Sequence, residues 1–484
     1  MSKERVTLLL LAAIAVASIL RLVWLDRKSL WLDEVVTLQM ARTSISDILN
    51  ARWDPHPPLY YVLMHYWINL GESEFLLRLP SALAGILAIP LLYWLVREWS
   101  GDWAAIASAW LLALAPLHIW YSQEARMYAL ACTLGLASTL VYTWAIRRNK
   151  QWLAWPVWVA VMGIGLYTSY SHLLLLGAQM ILFVPLWQSS KAHPRTLFIA
   201  LVAVVCVLLM FAPQAQTFMS QLVFRGGQVW YYIPLQWLLT DLGITVSSSY
   251  LNAALISGGL AFLGATSIIV WKLSSRLQQI RTGWGWLLAV VILYVAILVA
   301  SAVVRGLGLK RQTLILFPYL LSGIVVIAAM HRYRMRILMG LLLITVPFTS
   351  YTLVAQEQED WRSVARVVEE SAEQRDIILL NPSYIQLSFD YYYRGQVPRQ
   401  GVGPSDVPKN LLPLVTSYER VWLVLAHDRY TDPQETVRRW LDEHCALLGE
   451  QVFAGVRVRV SVSYTHLRAH ETPEHLVCRL LLEK

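Results

Sequence analysis

Apolar runs of about 20 residues recur along this 484-residue chain, and they constrain its fold more than any other feature. One run of that length is what a single α-helix needs to cross the hydrocarbon core of a bilayer. Hydrophobic residues make up 57% of the chain and charged residues only 15%, whereas a soluble protein carries roughly 25% charged residues. The sequence therefore predicts an α-helical polytopic membrane protein.

The lengths of these runs predict about eleven spans. They lie at 6–25, 79–97, 103–121, 127–146, 152–169, 172–187, 196–213, 252–271, 284–304, 312–330 and 335–354. The stretch 231–250 is also apolar, but it carries Asp241 and the serines at 247–249. We interpret it as a re-entrant or interfacial element.

Basic residues are concentrated in alternate short loops, and this pattern predicts the orientation of the spans. With the N-terminus inside, the cytoplasmic loops contain Arg97, Arg147, Arg148, Lys150, Lys191, Arg195, Lys272, Arg276, Arg281, Arg332, Arg334 and Arg336. We expect a multi-pass protein of the inner (plasma) membrane whose polar clusters face the periplasm or the exterior. The net charge of +9 belongs mainly to these loops, so it does not indicate a nucleic-acid partner.

Four ionisable residues, Asp33, Glu34, Asp54 and His56, follow the first apolar run within a short stretch. Ionisable groups beside hydrocarbon are costly, so they usually face protein or a wet cavity and have a function. Asp33 is the candidate catalytic base, because a carboxylate can take the proton of an acceptor hydroxyl. Glu34 could orient the acceptor or tune Asp33, and Asp54 and His56 could bind the acceptor or a metal. The alternative is a solvated loop between two spans.

A second polar group opens the fourth predicted span, at Glu124, Arg126 and Tyr128. An arginine at a helix start opposes the helix dipole, which suggests a partner: Glu124, a lipid headgroup or a substrate phosphate. Arg126 could instead be an interfacial residue that extends to water. The short turn 167–172 adds hydroxyl groups and the imidazole of His172, either at the rim of a site or within an aromatic belt.

Three basic residues on the predicted outer side, Arg305, Lys310 and Arg311, depart from the positive-inside pattern. Cations there are suited to holding a phosphate by charge-assisted hydrogen bonds, and they could stabilise a phosphate as it departs. The alternative is contact with anionic lipid, which contributes on the order of 1 kcal/mol per charge.

The composition changes near Asp360, where the long apolar runs end. An amphipathic helix at 360–370, a buried strand at 376–382, a strand at 421–425 and a helix at 433–441 are predicted in turn. Alternating helices and strands indicate a small extracytoplasmic α/β domain.

These features divide the chain into three parts. Residues 1–354 form the predicted transmembrane domain, whose outer loop 26–78 carries two surface helices, and residues 355–461 form the α/β domain. Residues 462–484 resemble a tail found on many unrelated translations, and we expect them to be non-native.

The motifs in the first half of the chain resemble the GT-C superfamily of polyprenyl-phosphate-sugar glycosyltransferases, and in particular the glycosyltransferase 39 or protein mannosyltransferase-like group. The resemblance covers roughly residues 5–330 and rests on four motifs in a matching order. They are Leu32-Asp33-Glu34, His56-Pro57-Pro58-Leu59-Tyr60-Tyr61, Arg78-Leu79-Pro80-Ser81-Ala82-Leu83 and Ser122-Gln123-Glu124-Ala125-Arg126-Met127-Tyr128. The motifs Asp360-Trp361-Arg362 and Phe389-Asp390-Tyr391-Tyr392-Tyr393 also look like the outer domain of bacterial members.

The resemblance implies an inverting, single-displacement transfer of a sugar, mannose-like or related, from a polyprenyl-phosphate donor to an acceptor hydroxyl. It carries the base onto Asp33 and an assisting role at the donor onto Glu124. The predicted donor-binding residues are Arg126, Tyr128, His172, Arg305, Lys310 and Arg311, and the predicted acceptor-binding residues are Asp54, His56 and Tyr60. The implied partners are the lipid-linked sugar, an acceptor lipid, glycan or protein, and the bilayer.

Two other classes compete with a glycosyltransferase. A transporter or flippase of lipid-linked saccharides would place ionisable groups near the bilayer midplane and often contains inverted repeats. Here the polar groups cluster on one predicted side and no repeat is evident, which favours the enzyme; a non-catalytic scaffold is the third class. The sequence contains no clear ligand set for a divalent metal, so we predict no firm cofactor and leave a divalent metal open.

Overall fold

The computed structural model describes residues 2–51, 54, 56–147, 151–190, 195–225, 313–329, 332–354 and 358–464. Several predictions fall outside the described residues: the spans 252–271 and 284–304, the stretch 231–250, the cations Arg305, Lys310 and Arg311, and the tail from residue 465 onward.

The described chain forms two compact units. The first contains residues 2–25 and 40–354, and the second contains residues 26–39 and 358–464. The residues at 26–39, which follow the first span, therefore group with the C-terminal domain.

The first unit is entirely helical in its described part. Its elements are α1 (Lys3–Leu22), the last residues of α2 (Leu32–Arg42), α3 (Ile45–Asn50), α4 (Leu59–Trp67), α5 (Glu74–Ala113), α6 (Pro116–Ser122), α7 (Tyr128–Arg147), α8 (Gln151–Thr168), α9 (Ser171–Ser190), α10 (Arg195–Arg225), α11 (Phe317–Ala329) and α12 (Arg334–Val354). Its core is a continuous apolar cluster to which α1, α5 and α7–α11 contribute buried side chains.

Helix α5 contains one predicted span and part of the next, joined at Gly101. The backbone there has φ 81° and is not helical, so the element is two helices that meet at a kink. Glycine tolerates this left-handed conformation because it lacks a Cβ. The predicted span 103–121 is interrupted, since α5 ends at Ala113 and α6 begins with Pro116. Proline fits the first turn of a helix and disfavours helical backbone in the residue before it, which explains the break.

Five helices of the described chain are long and apolar enough to cross a membrane. They are Lys3–Leu22, Glu74–Ala113, Tyr128–Arg147, Arg195–Ser220 and Arg334–Leu353. The helical stretches Leu153–Thr168 and Leu314–Val326 are apolar but shorter. Several predicted spans therefore coincide with apolar helices, and the total of eleven stays a prediction.

Between the first two predicted spans, the structure contains three helices where the sequence predicted two. They are α2, the six-residue α3 and α4, and the start of α3 is capped by the Ser44 hydroxyl, which accepts a hydrogen bond from the Asp47 N–H at 3.2 Å. Helix α4 follows Pro58 as expected, because proline is preorganised for a helix start.

The second unit contains a five-stranded mixed sheet in the order β2-β1-β3-β5-β4. The strands are β1 (Asp376–Asn381), β2 (Arg399–Gly401), β3 (Arg420–Leu425), β4 (Cys445–Phe453) and β5 (Val456–Ser463). Strand β1 is parallel to β2 and β3, and β5 is antiparallel to β3 and β4. The helices of this unit are α13 (Trp361–Ser371), α14 (Gln386–Tyr392), α15 (Leu411–Ser417), α16 (Asp428–Thr431) and α17 (Thr436–His444).

Both faces of the sheet are covered. Because side chains alternate along a strand, Ile378 and Leu380 of β1 lie in one apolar cluster, whereas Ile377 and Leu379 lie in the other. The first cluster includes α13 and α14, and the second includes α15 and α17. The result is a sheet between two helical layers.

Candidate functional site

Asp33 and Glu34 lie in the first turn of α2, in the second unit. The Glu34 side chain is fully buried, and its Oε2 accepts a hydrogen bond from the Trp31 N–H at 3.3 Å. This is one half of a capping box, in which a glutamate in the first turn bonds back to the residue that begins the helix. The Asp33 carbonyl accepts a hydrogen bond from the Thr37 hydroxyl at 3.0 Å. Glu34 thus stabilises the helix start that carries Asp33.

His427 is an electrostatic neighbour of Asp33 in the same unit, and the sequence analysis missed it. It follows β3 with a left-handed backbone (φ 56°), and its Nε2 lies 2.5 Å from Glu359 Oε1. The hydrogen bond to Glu359 raises the pKa of His427 most, and the charges of Glu359, Asp33 and Asp428 raise it further against the effect of burial. The Tyr384 hydroxyl lies 3.3 Å from His427 Nδ1.

The first unit contains a polar pocket, here called the Asp54 pocket. It is lined by Met40, Ile48, Leu49, Ala51, Asp54, His56, Pro58, Tyr61, Tyr170, Gln214 and Thr217. Two predicted site residues, Asp54 and His56, line it. The mixture of a carboxylate, an imidazole, an amide, hydroxyls and aromatic rings is typical of a site that binds a polar ligand in a fixed orientation.

Asp54 holds the local backbone of this pocket. Its side chain is 4% exposed, and its Oδ1 accepts a hydrogen bond from the His56 N–H at 2.8 Å. An aspartate that accepts from the backbone two residues ahead forms an Asx-turn, which orders the segment. The His56 ring lies edge-on to Tyr128, with ring centroids 6.0 Å apart.

Tyr61 connects Asp54 with Arg126. The Arg126 guanidinium donates a hydrogen bond to the Tyr61 hydroxyl at 3.1 Å and lies 6.0 Å from the centre of the ring. Burial raises the pKa of Tyr61 well above its ordinary value; the charge of Arg126 opposes this, and the charge and hydrogen bond of Asp54 add to it. The hydroxyl therefore stays protonated at neutral pH, accepts from the guanidinium and donates to the carboxylate.

Tyr60, a predicted acceptor-binding residue, has a different environment. Its side chain is fully buried, and its hydroxyl lies 2.8 Å from Ser81 Oγ, which donates to the Arg126 carbonyl at 2.8 Å. The structure gives Tyr60 an internal contact, whereas its neighbour Tyr61 lines the pocket. The motif drew attention to both tyrosines, but only the rotation of α4 distinguishes them.

Glu124 and Arg126 lie in the loop between α6 and α7, and each is 3% exposed. The Arg126 N–H donates to the Glu124 carbonyl at 2.7 Å, which makes the loop tight. The Gln123 side chain anchors the same loop, because its amide donates to the carbonyls of Leu20 and Val23 at 3.1 and 3.3 Å. Helix α7 begins only at Tyr128, so Arg126 precedes the helix start at which the sequence placed it.

His172 is fully buried at the start of α9, and Tyr170 rather than His172 lines the Asp54 pocket. The His172 ring packs so closely against Gly165 that a Cβ at position 165 would lie 2.3 Å from the ring. Burial, with smaller effects from Asp54 and Tyr167, raises the pKa of Tyr170 to about 12. The turn 167–172 therefore contributes the neutral phenol of Tyr170 to the pocket, and not the imidazole of His172.

Tyr61 and Tyr170 belong to segments that the sequence singled out, although neither was a predicted site residue, whereas Gln214 and Thr217 were not singled out at all. Gln214 and Thr217 follow the end of a predicted span with no motif around them, so no sequence signal identifies them. Within the described ranges, no group of three or more His, Cys, Asp or Glu residues could hold a metal ion.

Comparison with known proteins gives both a family-model match and structural relatives. A family described as dolichyl-phosphate-mannose-protein mannosyltransferase matches residues 55–216. The crystal structure of ArnT from Cupriavidus metallidurans bound to undecaprenyl phosphate is similar with a TM-score of 0.53 and 16% identity, covering 95% of this chain and 98% of that chain. Apo ArnT gives a TM-score of 0.52 at 16% identity, covering 93% of this chain and 97% of that chain.

The oligosaccharyltransferase AglB from Archaeoglobus fulgidus, in complex with an inhibitory peptide and a dolichol-phosphate, is also similar. Its TM-score is 0.54 at 11% identity, covering 94% of this chain and 74% of that chain. The chain has a GT-C fold. The resemblance inferred from the sequence motifs is thereby confirmed, and it extends well beyond the residues of the GT-C motifs themselves. A comparison with curated protein sequences gives no match.

Proposed function

We propose that this chain is a membrane glycosyltransferase that moves a sugar, mannose-like or related, from a polyprenyl-phosphate donor to an acceptor hydroxyl at the outer face of the membrane. The observation that carries the proposal is a polar pocket in a chain with a fold similar to that of ArnT, a protein whose crystal structure contains undecaprenyl phosphate. AglB, with a similar fold, has a structure in complex with a dolichol-phosphate. Lipid phosphates are thus ligands of this fold in two organisms.

The Asp54 pocket supports donor binding by its chemistry. A guanidinium presents several N–H donors in a planar fork, which suits the oxygens of a phosphate. Arg126 is held by the neutral hydroxyl of Tyr61 beside that pocket. Tyr170 and Gln214 supply hydrogen-bonding groups for sugar hydroxyls, and Asp54 and His56 line the same pocket and keep their proposed role in binding the acceptor. In this proposal Arg126 contacts the donor phosphate, and Tyr128 and Glu124 support it. His172 does not line the pocket, so in this proposal it acts on donor binding indirectly, by packing between the helices.

Asp33 is the proposed general base. The carboxylate removes the proton of the acceptor hydroxyl as its oxygen attacks the anomeric carbon. The bond from that carbon to the donor phosphate breaks at the same time, the phosphate leaves with the electron pair, and the configuration inverts. His427 interacts electrostatically with Asp33 within the second unit, so a titratable imidazole lies near the proposed base.

The test uses purified protein in lipid nanodiscs, a panel of undecaprenyl-phosphate sugars and an acceptor extract, with release of undecaprenyl phosphate as the readout. We expect release with one sugar, and a fall of about 10²- to 10⁴-fold in rate for Asp33→Asn, as is typical when a general base is removed. Asp47→Asn is the matched control, since Asp47 is an exposed carboxylate whose partner is Ser44. Undiminished transfer by Asp33→Asn would exclude Asp33 as the base. The absence of release with every sugar, together with movement of lipid-linked saccharide across liposomes, would favour a flippase.

A further inference from the structure

The segment that precedes α2 is held by side chains of the C-terminal sheet domain, within the second unit. The Leu30 N–H donates a hydrogen bond to the Tyr392 hydroxyl at 2.6 Å. The Arg362 guanidinium donates to the carbonyls of Asp26 at 2.9 Å and Arg27 at 3.3 Å. These bonds join the main chain of one segment to side chains that lie more than 330 residues later in the sequence.

Ser29 makes a second connection at the start of α13. Its hydroxyl donates to Asp360 Oδ1 at 3.3 Å and accepts from the Arg362 N–H at 3.2 Å. Asp360 also caps α13 by accepting from the Ser363 N–H at 3.2 Å. The first N–H groups of a helix have no partner inside the helix, so Ser29 supplies one of the acceptors that α13 needs. Ser29 is 5% exposed, as expected for a side chain that is buried against the start of α13.

These contacts end three residues before Asp33. Trp31 is the next residue, and its N–H is bound by Glu34, so backbone groups of Asp26, Arg27, Leu30 and Trp31 are each held by a hydrogen bond. A carboxylate in the first turn of a helix has its direction set by the direction of that helix start. Fixing Leu30 and Trp31 therefore fixes where Asp33 points.

We propose that Tyr392, Asp360 and Arg362 are positioning residues, which hold the segment before α2 so that Asp33 is presented in one orientation. This proposal rests on the function proposed above. It assigns a role to the motifs Asp360-Trp361-Arg362 and Phe389-Asp390-Tyr391-Tyr392-Tyr393, which the donor pocket does not use. The C-terminal domain is then part of the catalytic apparatus, because it sets the geometry of the base.

The test variant is Tyr392→Phe, which removes the hydroxyl and keeps the ring. Tyr393→Phe is the matched control, because the Tyr393 hydroxyl accepts from the Val397 N–H at 3.2 Å inside the domain and touches nothing before α2. Each variant removes a hydroxyl that accepts from a backbone N–H, so a general loss of stability from a lost neutral hydrogen bond is expected in both.

Two readouts are measured. Hydrogen exchange of the amide of Leu30 should be about tenfold faster in Tyr392→Phe, as expected for the loss of one such bond, and unchanged in Tyr393→Phe. The kcat of sugar transfer should fall about tenfold in Tyr392→Phe with the KM for the donor unchanged, because misalignment of the base affects the chemical step rather than donor binding. Arg362→Lys should retain more kcat than Arg362→Ala, since lysine supplies one donor to the same carbonyls.

The outcomes separate this proposal from the proposed function. Unchanged exchange at Leu30, unchanged kcat, or equal losses in both tyrosine variants would each overturn the positioning role. A wild-type protein that transfers no sugar overturns the proposed function, and with it the part of this proposal that concerns Asp33. The exchange comparison needs no activity, so it still decides whether Tyr392 holds the segment.

Discussion

Replacing Tyr61 with phenylalanine removes one hydroxyl from the Asp54 pocket and leaves the ring in place. That hydroxyl accepts from Arg126 at 3.1 Å, and the exposed fractions of the two side chains are 1% and 3%. A hydrogen bond to a charged group contributes about 1.5–3 kcal/mol. If Arg126 binds the donor phosphate and loses the partner that directs it, we expect about 2 kcal/mol of binding free energy to be lost. That loss corresponds to an affinity for undecaprenyl phosphate about 30-fold weaker than that of the wild type.

The measurement is the equilibrium dissociation constant for undecaprenyl phosphate, with protein in nanodiscs, alongside thermal unfolding of each variant. Tyr60→Phe is the control, since it changes the adjacent residue in the same way. The Tyr60 hydroxyl bonds to Ser81 inside the protein, so its loss should lower stability by about 0.5–1.5 kcal/mol, as for a neutral hydrogen bond, without changing lipid affinity.

Two results would refute this reasoning. Equal lipid affinity in Tyr61→Phe and the wild type would mean that the Tyr61–Arg126 pair does not serve the donor. Equal weakening in Tyr60→Phe and Tyr61→Phe would mean that lipid binding follows the general stability of α4 rather than the hydroxyl that lines the pocket.

Two further predictions concern stability. Gly85→Ala should lower the unfolding temperature at a cost of about 1–3 kcal/mol, because its Cβ would lie 2.1 Å from Ser122 Oγ; Gly177→Ala, with open space around it, should not. His427→Asn tests the raised pKa of His427. The hydrogen bond to Glu359 stabilises the folded protein when His427 is protonated. Its contribution to folding stability is therefore fully present below the ordinary pKa of about 6.5 and is lost as the pH rises through the raised pKa. The stability difference between the wild type and His427→Asn should therefore shrink with rising pH, and a difference that grew instead would contradict the assignment.

The Asp54 pocket shows which site residues the sequence motifs could identify and which they could not. The sequence drew attention to Asp54, His56 and the two tyrosines that follow, because ionisable and aromatic residues stand out beside apolar runs. It could not choose between Tyr60 and Tyr61, since that choice depends on which side of α4 faces the neighbouring helices. Gln214 carries no signal at all, because a glutamine after a span is ordinary until folding brings it beside Asp54.

The sequence by itself determined that the chain contains helices long and apolar enough to cross a membrane, because the run length needed to cross hydrocarbon is a property of the segment alone. It also determined the candidate base, since a carboxylate just after the first span is unusual in any context. Only the tertiary structure decided that Asp33 is carried on a segment held by Asp360, Arg362 and Tyr392. Those bonds join backbone and side chains more than 330 residues apart, and neither periodicity nor local motif encodes a contact at that separation.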